Sequence, residues 1–226
     1  MMRKPFLEEL EELHIQFYHM GLKVHEAVQE AVRAFLTEDL EAAKKVVSND
    51  KEINQREQEI ERFSIELIAL QQPISSDLRK IVTVMKASVD LERIGDHAVS
   101  LSKAVLNLSD HSKRSAEVEE QLKKMANRLD EMLTDVLVAS LKREEKKAWE
   151  TAQKDARIDQ LANDLHFLLI QELKNEPSKA DRTACDLLAA NYLERIGDYI
   201  TNVAEWVVYD RTGKKPELNP HQSDRK

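Results

Sequence analysis

The hexapeptide Leu-Glu-Arg-Ile-Gly-Asp is written twice, at 91–96 and at 193–198, an offset of 102 positions. In each copy a Glu and an Asp stand four residues apart, so on a helix they share one face: Glu92 with Asp96, and Glu194 with Asp198. These acids interrupt apolar heptad rows. Glu92 follows Leu78 and Met85 at intervals of seven, Asp96 follows Val82 and Val89, and Glu194 follows Ala180 and Leu187. A carboxylate at the edge of a core is costly unless something compensates it. Two upstream segments break their own apolar rows in the same way, with Asp50 and Asn54 in one and Asp155 and Asp159 in the other. Folded about a turn at Pro73, Asn54 lies level with Glu92, and Asp50 with Asp96. A pivot between Glu176 and Pro177 levels Asp159 with Glu194, and Asp155 with Asp198. Each half is therefore expected to gather three or four carboxyl and amide oxygens. Like charges so gathered repel unless a cation neutralises them or some take up protons. Hard oxygen ligands suit Mg, Ca, Mn or ferric iron better than a tetrahedral thiolate zinc site. Ion pairs are the rival compensation, because Arg93 and Arg195 adjoin the acids.

The elements that must position these groups are helices. Leu10, Leu13, Phe17, Met20, Val24, Ala27 and Ala31 form one apolar seam at three- and four-residue spacing. The same rhythm returns with Leu122, Met125, Leu129, Met132, Val136 and Ala139. Thr37 reads as the N-cap of a second helix running to about Leu70. Pro73 and Ser75-Ser76 open a third, which reaches about Leu108. The polar stretch NLSDHSKRSAE reads as the linker between halves. Helices four and five are expected to meet near Lys142. Glu176-Pro177-Ser178 then turns the chain into a sixth helix that ends near Tyr209. Short connections force antiparallel neighbours. The expected fold is all-α: six long helices in two tandem three-helix bundles, 1–112 and 113–212, related by internal pseudo-twofold symmetry, with a loose tail over 213–226.

Composition narrows the function classes. With 4 Gly, 5 Pro and 34% charged residues, the chain suits long helices and can still bury a core. A net charge of −8 argues against sequence-independent nucleic-acid binding, which needs a basic face. The lone Cys185 cannot form an intrachain disulfide, and no apolar run approaches the roughly 20 residues that span a bilayer. Cytoplasmic residence without membrane insertion is the expectation. There is no Gly-rich phosphate loop and no G-x-S-x-G. Glu11-x-x-His14 is a single copy of a motif that di-iron carboxylate enzymes need twice. Gly21, inside the first helix, reads as a point of close packing. The carboxylate clusters leave two further classes open: a metal-dependent all-α phosphohydrolase, and a structural helical adaptor whose acids serve only in ion pairs.

The segments QQPISSDLRKIVTVMKASVDLERIGDHAV and NYLERIGDYITNVAEWVVYDRTG closely resemble the two signature helices of the PhoU family, accessory proteins of bacterial phosphate-specific transport. The resemblance covers nearly the whole chain. It implies cytoplasmic, non-enzymatic negative regulators of the phosphate-starvation response. Their implied partners are the ATPase subunit of the phosphate ABC transporter and the membrane sensor histidine kinase, often with homodimerisation. It also implies multinuclear iron or zinc bound through E/D-x-x-x-D motifs. Those motifs map onto Glu92 with Asp96 and Glu194 with Asp198, and the accompanying groups onto Asp50, Asn54, Asp155 and Asp159. Two departures stand out. Tyr199 follows the second motif where the family often has His, with His97 at the matching place in the first half, and Ala162 takes the place that corresponds to Glu57.

Overall fold

The computed structural model describes residues 3–109 and 112–218. Among these, every regular element is helical. The first half comprises α1 (Arg3–Thr37), α2 (Leu40–Gln71) and α3 (Ser75–Leu106). The second comprises α4 (Ala116–Lys142), α5 (Glu145–Ala152), α6 (Asp155–Asn175) and α7 (Ala180–Thr212), with one 3-10 turn at Pro177–Lys179. The expected fifth long helix is thus the pair α5–α6. Gln153 and Lys154 stay right-handed helical between them, but i to i+3 bonds tighten the turn, Lys154 N–H to Thr151 O and Arg157 N–H to Lys154 O. The Lys147 and Lys154 ammonium groups both donate to Asp135 at 2.6 Å and pin this kink to α4.

The start of α2 differs from the expectation. Asp39, not Thr37, is the N-cap, and its Oδ1 accepts the Ala42 N–H at 3.0 Å. Helix α1 runs on through Thr37, whose hydroxyl donates back to Arg33 O at 2.8 Å, and the reversal falls on Glu38 at φ 55°. At the other end of α2, Gln72 takes the left-handed conformation that lets Pro73 lead into α3.

Apolar seams from both halves merge into one continuous core. The helices meet as antiparallel pairs across the molecule. Along α1 and α4, His14 bonds Ser140 O at 3.1 Å and His25 bonds Asp130 at 2.6 Å. Gly21 sits between these contacts, and a Cβ there would collide with the Leu137 side chain, so close packing explains that glycine. Along α3 and α7, Trp206 Nε1 donates to Asp90 at 2.9 Å near one end, and the Cys185 thiol reaches Ala104 O at 3.6 Å near the other. His97 stacks between Tyr192 and Tyr199 at the middle, with ring centroids 6.1 and 5.6 Å away.

Where the linker enters α4, a buried polar cluster ties the halves together. Arg114 lies over the Phe35 ring at 4.2 Å, donates to Phe35 O at 3.2 Å and pairs with Asp186 at 2.7 Å. Beside it, Arg182 pairs with Glu38. The Arg114 and Asp186 side chains are 4% and 2% exposed, so neither can turn to water if its partner goes. Of the tail expected to be loose, 219–226 lies outside the described residues, whereas 213–218 turns back onto α7 through the Leu218 N–H, bonded to Glu205 at 2.8 Å. Removing one member of a buried pair strands the other charge at a cost of about 3–5 kcal/mol. Asp186→Ala is therefore expected to lower unfolding free energy by that amount in urea titrations. An unchanged urea midpoint would show that the pair does not hold the halves.

Candidate metal centre

The second half assembles its acids most tightly. Asp155 opens α6 directly after the kink, Asp159 follows one turn later, and Asp198 faces both from α7. Among the described residues this trio alone offers three carboxylate oxygens within 4.8 Å of one another. The approach needs the glycine of the hexapeptide. A Cβ on Gly197 would lie 2.5 Å from Asp155 Oδ1, with Ile158 and Leu129 also close, so only glycine leaves room for that carboxylate. Asp155 and Asp198 are buried, at 2% and 5% exposure. Burial pushes the Asp155 carboxyl up to about 7, and the negative charges of Asp159, Asp198 and Glu194 push the same way, with the Thr201 hydroxyl opposing. Glu194 belongs to the electrostatic neighbourhood of Asp155 but stands outside the close trio.

The first half brings its four expected residues together more loosely. Asn54 Nδ2 donates to Asp50 Oδ2 at 3.1 Å, which fixes the amide beside the carboxylate. Asp50 Oδ1 and Asn54 Oδ1 are closed off from solvent and accept no hydrogen bond among the described residues. Two buried acceptors without donors fit a cation. Burial raises the Glu92 carboxyl, reinforced by Asp96, Glu57 and Asp50 and opposed by Arg93. Arg93 reaches Glu92 at 3.6 Å and Asp96 at 3.3 Å, so ion pairing expected as a rival to metal is present here. Its side chain is 53% exposed, where such pairs contribute little. Glu57 also joins this neighbourhood, while its counterpart Ala162 is buried in the core.

The donor set is all oxygen in both halves, which suits hard cations and leaves no thiolate for a closed zinc site. Among groups not singled out from sequence, Asp135 matters most, because its two lysine bonds hold the kink that delivers Asp155. Only its proximity to Lys147 and Lys154 across a turn could have signalled it. The expected departure at Tyr199 proves to be a contact, since Tyr199 and His97, which occupy equivalent places, stack on each other.

Comparisons with known proteins agree with this architecture. The PhoU domain model matches residues 17–105 and again 122–207, one copy per half. A phosphate-specific transport system accessory protein PhoU homolog of Clostridium acetobutylicum is 36% identical over 97% of this chain and 100% of its own length. That of Streptococcus pneumoniae is 38% identical, over 96% and 100%. The crystal structure of the phosphate transport system regulatory protein PhoU from Streptococcus pneumoniae superposes with a TM-score of 0.87, at 36% identity over 94% of this chain and 99% of that one. PhoU from Pseudomonas aeruginosa gives 0.88, at 30% identity over 92% and 100%. Matched end to end in sequence, repeat and fold, the chain belongs to the PhoU family.

Proposed function

We propose that the chain regulates phosphate uptake from the cytoplasmic side of the membrane and restrains the phosphate-starvation response, with no reaction of its own. It works by contact, as a homodimer, with the ATPase subunit of the phosphate ABC transporter and with the membrane sensor histidine kinase. The observation that carries this reading is the full-length match to relatives named as accessory and regulatory proteins of phosphate transport. A position beside the membrane rather than in it accords with the helices, none of which, among the described residues, is long and apolar enough to cross a bilayer.

The carboxylate clusters hold metal in this reading. Asp155, Asp159 and Asp198, with Glu194 beside them, take one centre, and Asp50, Asn54, Glu92 and Asp96 take the other. Iron or zinc in a multinuclear arrangement is the expected occupant, with Mg or Mn as alternatives. The bound cation neutralises like charges that are otherwise forced together between α6 and α7, and so stiffens the face offered to partners. Support comes from the convergence of three carboxylates within 4.8 Å.

Three outcomes test the proposal. Metal analysis of untagged protein, purified without chelators, is expected to find stoichiometric transition metal. The variant Glu92→Gln, Asp96→Asn, Glu194→Gln, Asp198→Asn should lose it while keeping its helical circular dichroism. If both proteins stay empty after soaking with iron, zinc, manganese and magnesium, the acids serve in ion pairs. Immobilised chain should retain the transporter ATPase subunit about tenfold less well once stripped of metal, a loss of about 1.4 kcal/mol. Undiminished binding would remove the metal from the mechanism.

Stripped protein should also become pH-sensitive. The folded Asp155 value of about 7 lies above its ordinary 3.8, so this group favours the fold below pH 4 and that contribution is lost as pH rises through 7. The difference amounts to about 4 kcal/mol. Asp155→Asn should flatten the slope of urea stability between pH 4 and 7, and an unaltered slope would place the titration elsewhere.

A further inference from the structure

Helix α7 is closed before the described chain ends. The Gly213 N–H donates to Tyr209 O at 2.8 Å with Gly213 at φ 74°, and the Lys214 N–H donates to the Thr212 hydroxyl at 3.1 Å. Residues 215–218 are not needed for that cap, yet they turn back and lie against the helix they have just left.

What this strap covers is a site for a positive charge. Glu205 is only 6% exposed, a depth at which a carboxylate needs partners. Both of its oxygens find them in the strap: Oε2 pairs with the Lys215 ammonium at 2.8 Å, and Oε1 accepts the Leu218 N–H at 2.8 Å. The same ammonium lies over the Trp206 ring at 4.6 Å. Asp90 of α3 stands beside them, its Oδ2 accepting the Trp206 indole N–H at 2.9 Å. Burial pushes the Asp90 carboxyl up, and the Trp206 bond and the Lys215 charge pull it back. Two carboxylates and an indole ring thus converge on one ammonium. Three residues later Leu218 packs against the core, while Lys214 and Glu217 stay exposed. A cation followed at the third position by a leucine is what the groove reads.

The hold on the strap is slight. It consists of one ion pair whose Lys215 side chain is 38% exposed, one backbone bond and one partly buried leucine. Lifting it leaves α7 capped but strips Glu205 of both donors, so the groove favours any segment that restores them. A net charge of −8 draws basic segments toward the chain.

We propose that the groove formed by Asp90, Glu205 and Trp206 is a docking site for an extended segment of a partner protein that carries a Lys or Arg three residues ahead of a leucine-sized side chain, and that the strap is its built-in competitor. The incoming cation replaces Lys215 against Glu205 and Trp206, and the main-chain N–H of the incoming leucine replaces that of Leu218. The groove shares no residue with the carboxylate clusters, so it stands or falls independently of the metal reading.

The test uses the full chain and two fluorescein-labelled peptides, GKKPELN, which copies the strap, and GKEPELN, which inverts its key charge. The tethered strap competes at an effective concentration of about 1 mM. In the variant Lys215→Glu, Leu218→Ser the strap is repelled from the groove, and circular dichroism should stay that of the unaltered chain. Fluorescence anisotropy should show GKKPELN binding this variant with a dissociation constant below about 0.1 mM, and the unaltered chain about tenfold more weakly. Lys215→Ala, which leaves Leu218 in place, should bind with intermediate affinity. GKEPELN should bind the strap-lifted variant about tenfold more weakly than GKKPELN, and adding Glu205→Gln should weaken GKKPELN by a similar factor. Weaker binding of GKKPELN to both strap variants than about 0.1 mM, equal affinity for the unaltered chain, or indifference to the peptide's charge or to Glu205→Gln would each overturn the proposal.

Discussion

Three carboxylates held within 4.8 Å impose the demand that the surrounding structure answers. Repulsion between Asp155 and Asp159 on α6 and Asp198 on α7 would drive those helices apart, and burial magnifies the effect. The helices resist because each is braced elsewhere. Asp135 pins the kink before Asp155 through two lysines, and Gly197 removes the one atom that would block that carboxylate. Core side chains Ile158 and Leu129 close around the same point. Rigid long helices turn a local electrostatic cost into a defined oxygen cage rather than into local unfolding.

Duplication supplied the same frame twice, and substitution has since made the ends different. In the first half, Asn54 stands where the second has Asp159 and bonds Asp50, while Arg93 spans Glu92 and Asp96. That half carries part of its own compensation. In the second, the acids stand closer and deeper, and burial with the neighbouring carboxylates pushes Asp155 up to about 7. The two ends of the α3–α7 contact differ as well: residues 215 and 218 bond Glu205 at one, and Ser109 of the linker bonds Asp181 at the other. A pseudo-symmetric scaffold thereby presents two chemically distinct ends.

The seams at three- and four-residue spacing made the long helices legible, since each apolar row must face a partner. The breaks in those rows, reflected about Pro73 and Glu176-Pro177, level Asp155 with Asp198 and Asp50 with Asp96 along the chain. Residues level with one another on antiparallel helices need only sequence distance from a turn to be located. Sequence alone thus determined the repeat, the helical architecture and the approach of Asp155 to Asp198, whereas Asp159, expected level with Glu194, lies with Asp155 and Asp198 instead.

Only the tertiary structure decided how closely those acids meet and what else holds the frame. The kink at Gln153–Lys154 has no proline or glycine to announce it, and Asp135 on another helix holds Lys147 and Lys154 on its two sides. Arg114 and Asp186 lie 72 positions apart, Arg182 and Glu38 144, and Trp206 and Asp90 116. The strap over Glu205 likewise looked like polar, proline-bearing tail. Such contacts leave no periodic trace, because they join single residues whose proximity is set by the crossing of whole helices and not by spacing along the chain.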